Sequence, residues 1–390
     1  MLPIITKTKR RARAANLSQF FLMGLLFSTL VSRFPALKEL YGLSIAELGF
    51  IPFAMSAGSL IATPICVFLS AKYGSRKVGM FCYLQTLSLC LFVLMPEKYM
   101  LFGVAVLYGA LMELSDIAMN ANSIIVEQAY KRPILGMFHS FFYFGMALGA
   151  VISIVTMQIG LSVTVHYVVM SVVAFIWFAI NHVYYLKETP AKSAANQKFK
   201  ILLPRGVLLL IAFVAFCGRI VEGSISDWST VYMKNVISLE ENFSPIGLMV
   251  YSLFIASGRL FSDTIRRRFT ENQILLGCGI ITSAGIAVMI CGVNAFAAIA
   301  GLFISGIGLS CFVPVIYSLA GNRKDVNPGL GIAMVNTISG TGFLFGPSVI
   351  GFIAEHYSLR VSFAYVLLIS LIMTALIIIL KKHNEQAILV

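Results

Sequence analysis

The sequence predicts an all-α membrane protein with twelve transmembrane helices, arranged as two pseudo-symmetric six-helix bundles. The first observation is composition: 59% of the 390 residues are hydrophobic and 12% are charged, whereas a soluble domain has about 25% charged residues. The second is that the apolar runs are continuous and do not alternate with polar residues, which is typical of helices and not of a barrel. The third is spacing, because the runs suit helices of about 20 residues joined by short loops.

One long polar interruption divides the apolar runs into two sets of six. We therefore expect an N-terminal bundle over 1–186, a basic cytoplasmic linker over 187–204 and a C-terminal bundle over 205–390. The predicted helices are 17–37, 47–71, 78–95, 99–123, 134–159, 163–186, 205–232, 244–265, 272–291, 294–320, 329–354 and 359–381.

The positions of the basic residues predict the orientation of these helices. With the N-terminus inside, 22 of the 29 lysines and arginines fall in inner segments, five fall outside and two, Arg219 and Arg259, fall within helices. Cytoplasmic loops of membrane proteins carry such an excess of basic residues. Both termini are therefore expected in the cytoplasm, which requires an even number of helices.

Charge, cysteine and motif patterns exclude several classes of function. The net charge of +13 does not indicate nucleic-acid binding, because the bases are spread over short loops and form no single patch. All seven cysteines lie within apolar runs without a CxxC or Cys/His spacing, so we expect free thiols and no metal site. The sequence contains no P-loop, catalytic triad, HExxH or dinucleotide fingerprint. We therefore expect neither an enzyme, nor a cofactor, nor an ATP-driven pump.

Polar residues are concentrated in helix 4 and helix 5, over 108–150. At about 100° per residue, four polar residues of helix 4 fall in one stripe, together with Ser123. A carboxylate within a membrane helix costs on the order of 3 kcal/mol, so it usually faces a bundle interior or a water-filled path. The stripe therefore predicts the wall of a transport cavity. Its residues are Glu113, Asp116, Asn120 and Glu127.

Helix 5 and helix 11 are similar in sequence, which indicates an internal repeat. GMFHSFFYFGMALGA aligns with AMVNTISGTGFLFGP at a shift of 197 residues. Two six-helix halves in parallel order are the sequence trace of a pseudo-twofold axis along the membrane normal. The shared glycines are expected to permit close helix contact. The aligned pairs are His139 with Asn336, Gly145 with Gly342, and Gly149 with Gly346.

Over its full length the chain resembles the major facilitator superfamily. LSAKYGSRK after helix 2 is similar to that family's GxLaDRxGrRk signature, with Ala71 in place of the aspartate. The second-half copy, from Gly258 to Arg267, keeps its aspartate as Asp263. In the family this aspartate latches one face shut, so the resemblance implies a gate role for Asp263.

Within that superfamily the chain most resembles the fucose-permease-like branch. The similar stretches are DIAMNAN at 116–122, RP..GMFH at 132–139 and EG...DWS.VY at 222–232. The resemblance implies a proton-linked acid at Asp116 and a sugar-binding position at His139. Helix 1 lacks the acid that fucose permeases carry there, which argues against fucose itself as the solute.

Asp116 is expected near the membrane midplane and is our candidate for the proton-coupling acid. Burial disfavours the charged form of a carboxylate, whereas a nearby cation favours it, so a group between these effects can load and release a proton. Glu113, one turn away, is the alternative, because two close acids would share one proton. Either acid could instead tie helix 4 to a neighbouring helix.

Six residues are candidates for binding the solute. Arg219 and Glu222 are spaced i, i+3, so Arg219 either pairs locally with Glu222 or opposes the helix 4 acids across the cavity. Each of the other residues has a structural alternative, namely packing or a hydrogen bond between helices. The candidates are His139, Asn120, Asn336, Arg219, Glu222 and Tyr143.

Four charged residues near helix ends are candidates for gates. Arg33 precedes Phe34-Pro35 at the expected outer end of helix 1, where the alternative is an ordinary interfacial arginine. Asp227 lies beside Trp228 nearer the outer end of helix 7, where tryptophan is a common interfacial anchor. Glu127 is expected to latch to Lys131 or Arg132. The gate candidates are Arg33, Asp227, Glu127 and Asp263.

These features together predict a monomeric secondary transporter in a bacterial inner membrane, surrounded by the lipid bilayer. We expect it to move a small polar solute, a sugar or sugar-like metabolite, with H⁺ by alternating access, and Na⁺ could replace H⁺. The alternative is a proton-driven efflux antiporter for amphiphilic compounds. A non-transporting receptor is a third class, but the loops are too short to hold a signalling domain.

Overall fold

The computed structural model describes residues 6–131, 134–187, 203–323 and 326–386. Within these residues it contains helices and no strand, and twelve helices are long and apolar enough to cross a membrane. The predicted number of helices is therefore confirmed. The spans are α1 (Lys7–Ser32), α2 (Ile45–Tyr73), α3 (Ser75–Leu94), α4 (Met100–Tyr130), α5 (Leu135–Gln158), α6 (Val163–His182), α7 (Val207–Asn235), α8 (Glu241–Leu260), α9 (Glu271–Cys291), α10 (Ala295–Gly321), α11 (Leu330–His356) and α12 (Leu359–His383).

Two predicted boundaries near the N-terminus were wrong. Helix α1 begins at Lys7, not at 17, because the Thr6 hydroxyl accepts a hydrogen bond from the Lys9 amide and the basic segment forms the first turns. At its other end α1 stops at Ser32, and a separate short helix, Phe34–Tyr41, follows with proline in its first turn. Hydropathy located the apolar part of α1 but not its polar first turns.

Helix α4 extends to Tyr130, seven residues beyond the predicted end at 123. It stops because Lys131 adopts a left-handed conformation, with φ 53°, and its amide bonds the Glu127 and Gln128 carbonyls. The extra turns keep Glu127 on the helix. The predicted linker lies mostly outside the described residues, which omit 188–202.

The chain divides into two compact units. One comprises 1–43 and 54–199, and the other comprises 44–53 and 200–390. We call them unit 1 and unit 2 and describe each separately. The first turns of α2 group with unit 2, whereas the remainder of α2 groups with unit 1.

Equivalent glycines support equivalent helix pairs in the two units. In unit 1, α5 packs on α1, and a Cβ at Gly145 would collide with the Phe21 carbonyl. In unit 2, α11 packs on α7, and a Cβ at Gly342 would lie 2.6 Å from the Phe216 carbonyl oxygen. The glycines of the sequence repeat therefore permit close helix contact in both halves, as predicted.

Candidate functional site

Glu113 lies on α4 where that helix closely approaches α2 in unit 1. The approach depends on Gly58 and Gly109, since a Cβ on either would overlap the backbone of the opposite helix. It brings two α2 hydroxyls to the half-buried carboxylate: Ser59 Oγ donates at 2.5 Å and Thr63 Oγ1 donates at 2.9 Å. Both carboxylate oxygens therefore have neutral donors.

Asp116 and Asn120 follow Glu113 along the same half-buried side of α4. The Asn120 side-chain amide donates to the Asp116 backbone carbonyl at 2.9 Å. The Ser123 hydroxyl in turn donates to the Asn120 carbonyl. Asn120 therefore uses a donor within its own helix and keeps its side-chain oxygen for another partner.

The amide that links helices in unit 1 is Asn122, which was not among the predicted site residues. Asn16 Nδ2 donates to Asn122 Oδ1 at 3.0 Å, and Asn122 Nδ2 donates to Ser75 Oγ and to the Leu186 carbonyl, both at 3.0 Å. Asn16, Ser75 and Asn122 are fully buried. This polar cluster joins α1, α3, α4 and the segment that follows α6. The sequence shows Asn16 and Asn122 within apolar runs. It does not show that they pair, because the pairing depends on the tertiary fold.

His139 and Tyr143 lie one turn apart on α5. The half-buried His139 ring meets the Phe20 ring edge-on, with 5.1 Å between ring centroids. Tyr143 is buried and packs edge-on against Phe142. The two residues form a partly aromatic surface of α5 next to α1, and their solute-binding role stays a prediction.

Glu127 caps the N-terminus of α5. Its Oε2 accepts hydrogen bonds from the amides of Ile134 at 2.7 Å and Leu135 at 2.9 Å. A carboxylate at this position is favoured by the unsatisfied amides and the positive end of the helix dipole. The prediction from the sequence was a latch to Lys131 or Arg132. Arg132 lies outside the described residues, and the described bonds of Glu127 go to the backbone.

Arg33 is buried where α1 ends. Its Nη2 donates to the Leu161 carbonyl at 3.0 Å, in the connection between α5 and α6. It therefore links two segments at this end of unit 1. The contact is compatible with a structural role as well as with the predicted gate.

Unit 2 brings three predicted solute-binding residues into one network. Arg219 Nη1 pairs with Glu222 Oε2 at 3.0 Å on α7. Arg219 Nη2 also donates to the hydroxyl of Tyr317 on α10 at 3.1 Å, and Tyr317 donates to Asn336 Oδ1 on α11 at 2.7 Å. The local Arg219–Glu222 pair was predicted from the i, i+3 spacing. Tyr317 as the link to Asn336 was not.

Part of this network is exposed to solvent. The Arg219 guanidinium lies over the Phe343 ring, 5.1 Å from its centroid. The Arg219 side chain is 19% exposed and that of Glu222 is 6% exposed, whereas Asn336 is exposed and Tyr317 is half-buried. A partly buried ion pair therefore lies beside the more accessible hydrogen-bonding groups of Tyr317 and Asn336. We call Arg219, Glu222, Tyr317 and Asn336 the unit 2 polar network.

The remaining two gate candidates lie in contrasting environments. Asp263 is exposed in the first turn of the short helix Ser262–Arg266. Asp227 is only 6% exposed on α7, and among the described residues its carboxylate has no hydrogen-bond or ion-pair partner. The neighbouring Trp228 is buried and donates from Nε1 to the Pro347 carbonyl at 3.0 Å, so it packs within unit 2.

Within the described part of the chain, no cluster of three or more His, Cys, Asp or Glu side chains could hold a metal ion. The seven cysteines are free thiols. The groups of the candidate site are therefore carboxylates, amides, hydroxyls and one guanidinium.

Two solved structures share the fold of this chain. A mutant of the nucleoside transporter NupG aligns with a TM-score of 0.74 and 12% identity over 96% of this chain and 100% of that chain. A bacterial homologue of the human lysosomal transporter Spinster, inward-facing and occupied, aligns with a TM-score of 0.72 and 13% identity over 97% and 98% of the two chains. At these identities the similarity concerns the fold alone.

A bacterial relative is similar in sequence across nearly its whole length. An uncharacterized MFS-type transporter of Yersinia pestis is 30% identical over 394 aligned positions, covering 95% of this chain and 98% of its own. The sequence profile of the Major Facilitator Superfamily matches residues 17–327 and 272–388. With twelve apolar helices in the fold shared by these transporters, the chain belongs to the Major Facilitator Superfamily and is a multi-pass membrane transporter, not an enzyme.

Proposed function

We propose that this transporter is a proton-coupled symporter for a small, neutral, polyhydroxylated solute such as a sugar or a sugar-containing metabolite. It would operate by alternating access in a bacterial inner membrane. The bacterial source of the relative described above supports that location. The observation that carries the choice of solute is the unit 2 polar network.

The chemistry of this network favours a neutral solute rich in hydroxyl groups. Arg219 offers donors, Glu222 offers acceptors, and Tyr317 and Asn336 offer both. A sugar hydroxyl is also both donor and acceptor, so it can join such a network without leaving a group unpaired. The charges of Arg219 and Glu222 cancel within 3.0 Å, so neither an anion nor a cation finds an uncompensated partner. The similarity in fold to a nucleoside transporter is compatible with a solute that contains a sugar.

The acids of α4 are our candidates for the proton site. Both oxygens of Glu113 accept bonds from neutral hydroxyls, and Asp116 lies one turn away on the same side of the helix. A proton on one of these acids would remove a charge from the membrane interior. Coupling then requires only that protonation changes the equilibrium between the inward-facing and outward-facing forms.

A liposome experiment tests this function. Purified protein is first screened by thermal shift against sugars, nucleosides, amino acids and organic acids, and the stabilising compound is then used in uptake assays with an imposed pH gradient. We expect uptake driven by an inward proton gradient, and loss of that drive in Asp116→Asn or Glu113→Gln. If both variants retain proton-linked flux, the assignment of the coupling site is wrong. Uptake driven only by an outward gradient of protons would instead indicate antiport.

A second arm tests the solute site itself. Arg219→Met with Glu222→Met removes both charges together, so no buried charge is left without its partner. We expect this double variant to fold but to lose the thermal shift produced by the compound. Exposed Glu240 in the α7–α8 connection provides a matched control, because Glu240→Gln removes a charge outside the network. An unchanged thermal shift in the double variant would contradict the proposed solute site.

A further inference from the structure

Helix α7 contains a buried acid that the proposed function does not use. Asp227 is 6% exposed and has no hydrogen-bond or ion-pair partner among the described residues. Removing a carboxylate from water without compensation costs several kcal/mol, and within a membrane span such residues are rare and usually functional. A ligand that neutralises Asp227 would therefore stabilise the folded protein, and no protein group in the described chain neutralises it.

Two hydroxyls flank this acid on α7. Ser224 and Thr230 lie three residues before and after Asp227, so each is one turn away and about 60° around the helix axis. Both are buried, and neither hydroxyl has a hydrogen-bond partner within the described structure. Buried hydroxyls usually form hydrogen bonds, so Ser224 and Thr230 have donors and acceptors free for a ligand that is bound at the Asp227 carboxylate.

Some other buried hydroxyls of this protein follow the usual pattern, whereas others, such as Ser28, Ser229 and Thr282, also have no partner within the described structure. Serine and threonine in apolar helices commonly donate to the carbonyl four residues earlier. Thr29 does so to the Leu25 carbonyl at 2.8 Å, and Ser153 does so to the Gly149 carbonyl at 2.9 Å. The Ser224 and Thr230 hydroxyls make no such bond. Each can therefore still donate and accept a hydrogen bond.

The charged and titratable groups near this end of α7 are engaged elsewhere or carry no bond to Asp227. Glu355 accepts from the Ala46 amide at 3.0 Å, and Arg360 donates to the Ile290 carbonyl at 2.8 Å. On α7 itself, Arg219 pairs with Glu222. The groups on the segments packed against this end are Glu47, Tyr251, Glu355, His356, Arg360 and Tyr365.

We propose that Asp227, flanked by Ser224 and Thr230, binds a monovalent cation, either H⁺ or Na⁺. A proton would neutralise the carboxylate directly, and Na⁺ is a hard cation that takes the same oxygen donors. Use of this cation to drive solute movement rests on the proposed function. Binding of the cation does not, and it can be measured without any solute.

The chain contains its own reporter for this site. It has two tryptophans, and Trp228 is adjacent to Asp227 and buried against Pro347. Trp177→Phe leaves Trp228 as the sole tryptophan and retains an aromatic ring that can stack on Phe21. Trp228 emission from the full-length purified protein is then titrated with pH in choline chloride and in NaCl.

Each cation gives a distinct result. If H⁺ is the ligand, Trp228 emission changes with pH and the midpoint is the same in choline chloride and NaCl. If Na⁺ is the ligand, emission at alkaline pH saturates with NaCl but not with choline chloride, and the pH midpoint falls as NaCl rises because the two cations compete. In both cases Asp227→Asn abolishes the change and Asp227→Glu retains it with a shifted midpoint. Glu240→Gln, at an exposed acid, leaves it unaltered.

A titration in Asp227→Asn that matches the parent would overturn the proposal. If that variant does not fold, Ser224→Ala and Thr230→Ala decide instead: loss of one bond to the bound cation or to the protonated acid should move the midpoint about tenfold in cation concentration. Absence of any shift in both variants would equally overturn it. Solute transport without a Trp228 signal would leave the proposed function intact, and a signal without transport would leave the cation site intact.

Discussion

At the scale of single residues, the unit 2 polar network depends on the shape of one side chain. Arg219 reaches Glu222 with one terminal nitrogen and Tyr317 with the other. A lysine carries the same charge but has a compact ammonium group without this planar fork. The identity of the residue at 219 is therefore expected to matter as much as its charge.

Replacement of Arg219 separates these two contributions. Arg219→Met leaves Glu222 buried without its cationic partner, which we expect to cost about 3 kcal/mol of folding stability. Arg219→Lys should recover most of that stability but not solute binding, because Tyr317 loses its donor. Chemical denaturation and the solute thermal shift measure the two effects. Equal stability of Arg219→Met and the parent protein would contradict the importance of the ion pair.

Asn120 and Asn122 provide a matched pair of amides on α4. Asn122→Ala should destabilise the protein by about 2–4 kcal/mol, because it removes the buried hydrogen bonds that Asn122 makes with Asn16, Ser75 and the Leu186 carbonyl. Asn120→Ala should cost less than about 1 kcal/mol, since the Asn120 amide bonds its own helix. The free energy of unfolding of the two variants tests this difference. A larger loss for Asn120→Ala would show that the structural link had been assigned to the wrong amide.

The sequence identified these residues more reliably than it identified their partners. The spacing of Arg219 and Glu222 predicted their pair, because positions i and i+3 are neighbours on any helix. Tyr317 contacts Arg219 from a different helix, so no local pattern indicated that bond. The isolation of Asp227 was equally unpredictable, because the absence of a partner depends on every segment that packs around it.

At the scale of helices, the glycines of α5 differ sharply in their surroundings. Gly145 faces the backbone of α1, whereas a Cβ at Gly136 would meet nothing within 4 Å. We expect Gly145→Ala to force α1 and α5 apart and to lower the unfolding temperature. Gly136→Ala should be neutral or stabilising by up to about 1 kcal/mol, because alanine is the better helix former. Thermal unfolding of both variants tests this, and equal effects would contradict the close packing of α1 and α5.

Apolar runs predicted most helices to within a few residues because membrane spans are defined by their hydrophobic length. The errors lie where polar residues extend a helix into the interface, as at the start of α1 and the end of α4. The cap that Glu127 provides for α5 could not be predicted in the same way. It involves amides seven and eight residues further along the chain, beyond the left-handed Lys131, a conformation that a lysine rarely adopts.

At the scale of the whole molecule, the arrangement of charges predicts which side of the membrane each loop occupies. An exposed native thiol allows a test, since Cys291 ends α9 and would face the outside if both termini are cytoplasmic. We expect a membrane-impermeant maleimide to label intact cells at this cysteine. Cys291→Ser should remove that labelling. Modification of Cys291 only after permeabilisation would invert the predicted orientation.

The Glu127 cap has a mechanical consequence for unit 1. The Glu127 carboxylate on α4 accepts hydrogen bonds from the Ile134 and Leu135 amides at the start of α5, so the end of α4 is held to the start of α5. We expect α4 and α5 to tilt together as one rigid body. A movement of α4 that accompanies a change at Glu113 or Asp116 would then also reorient His139 on α5.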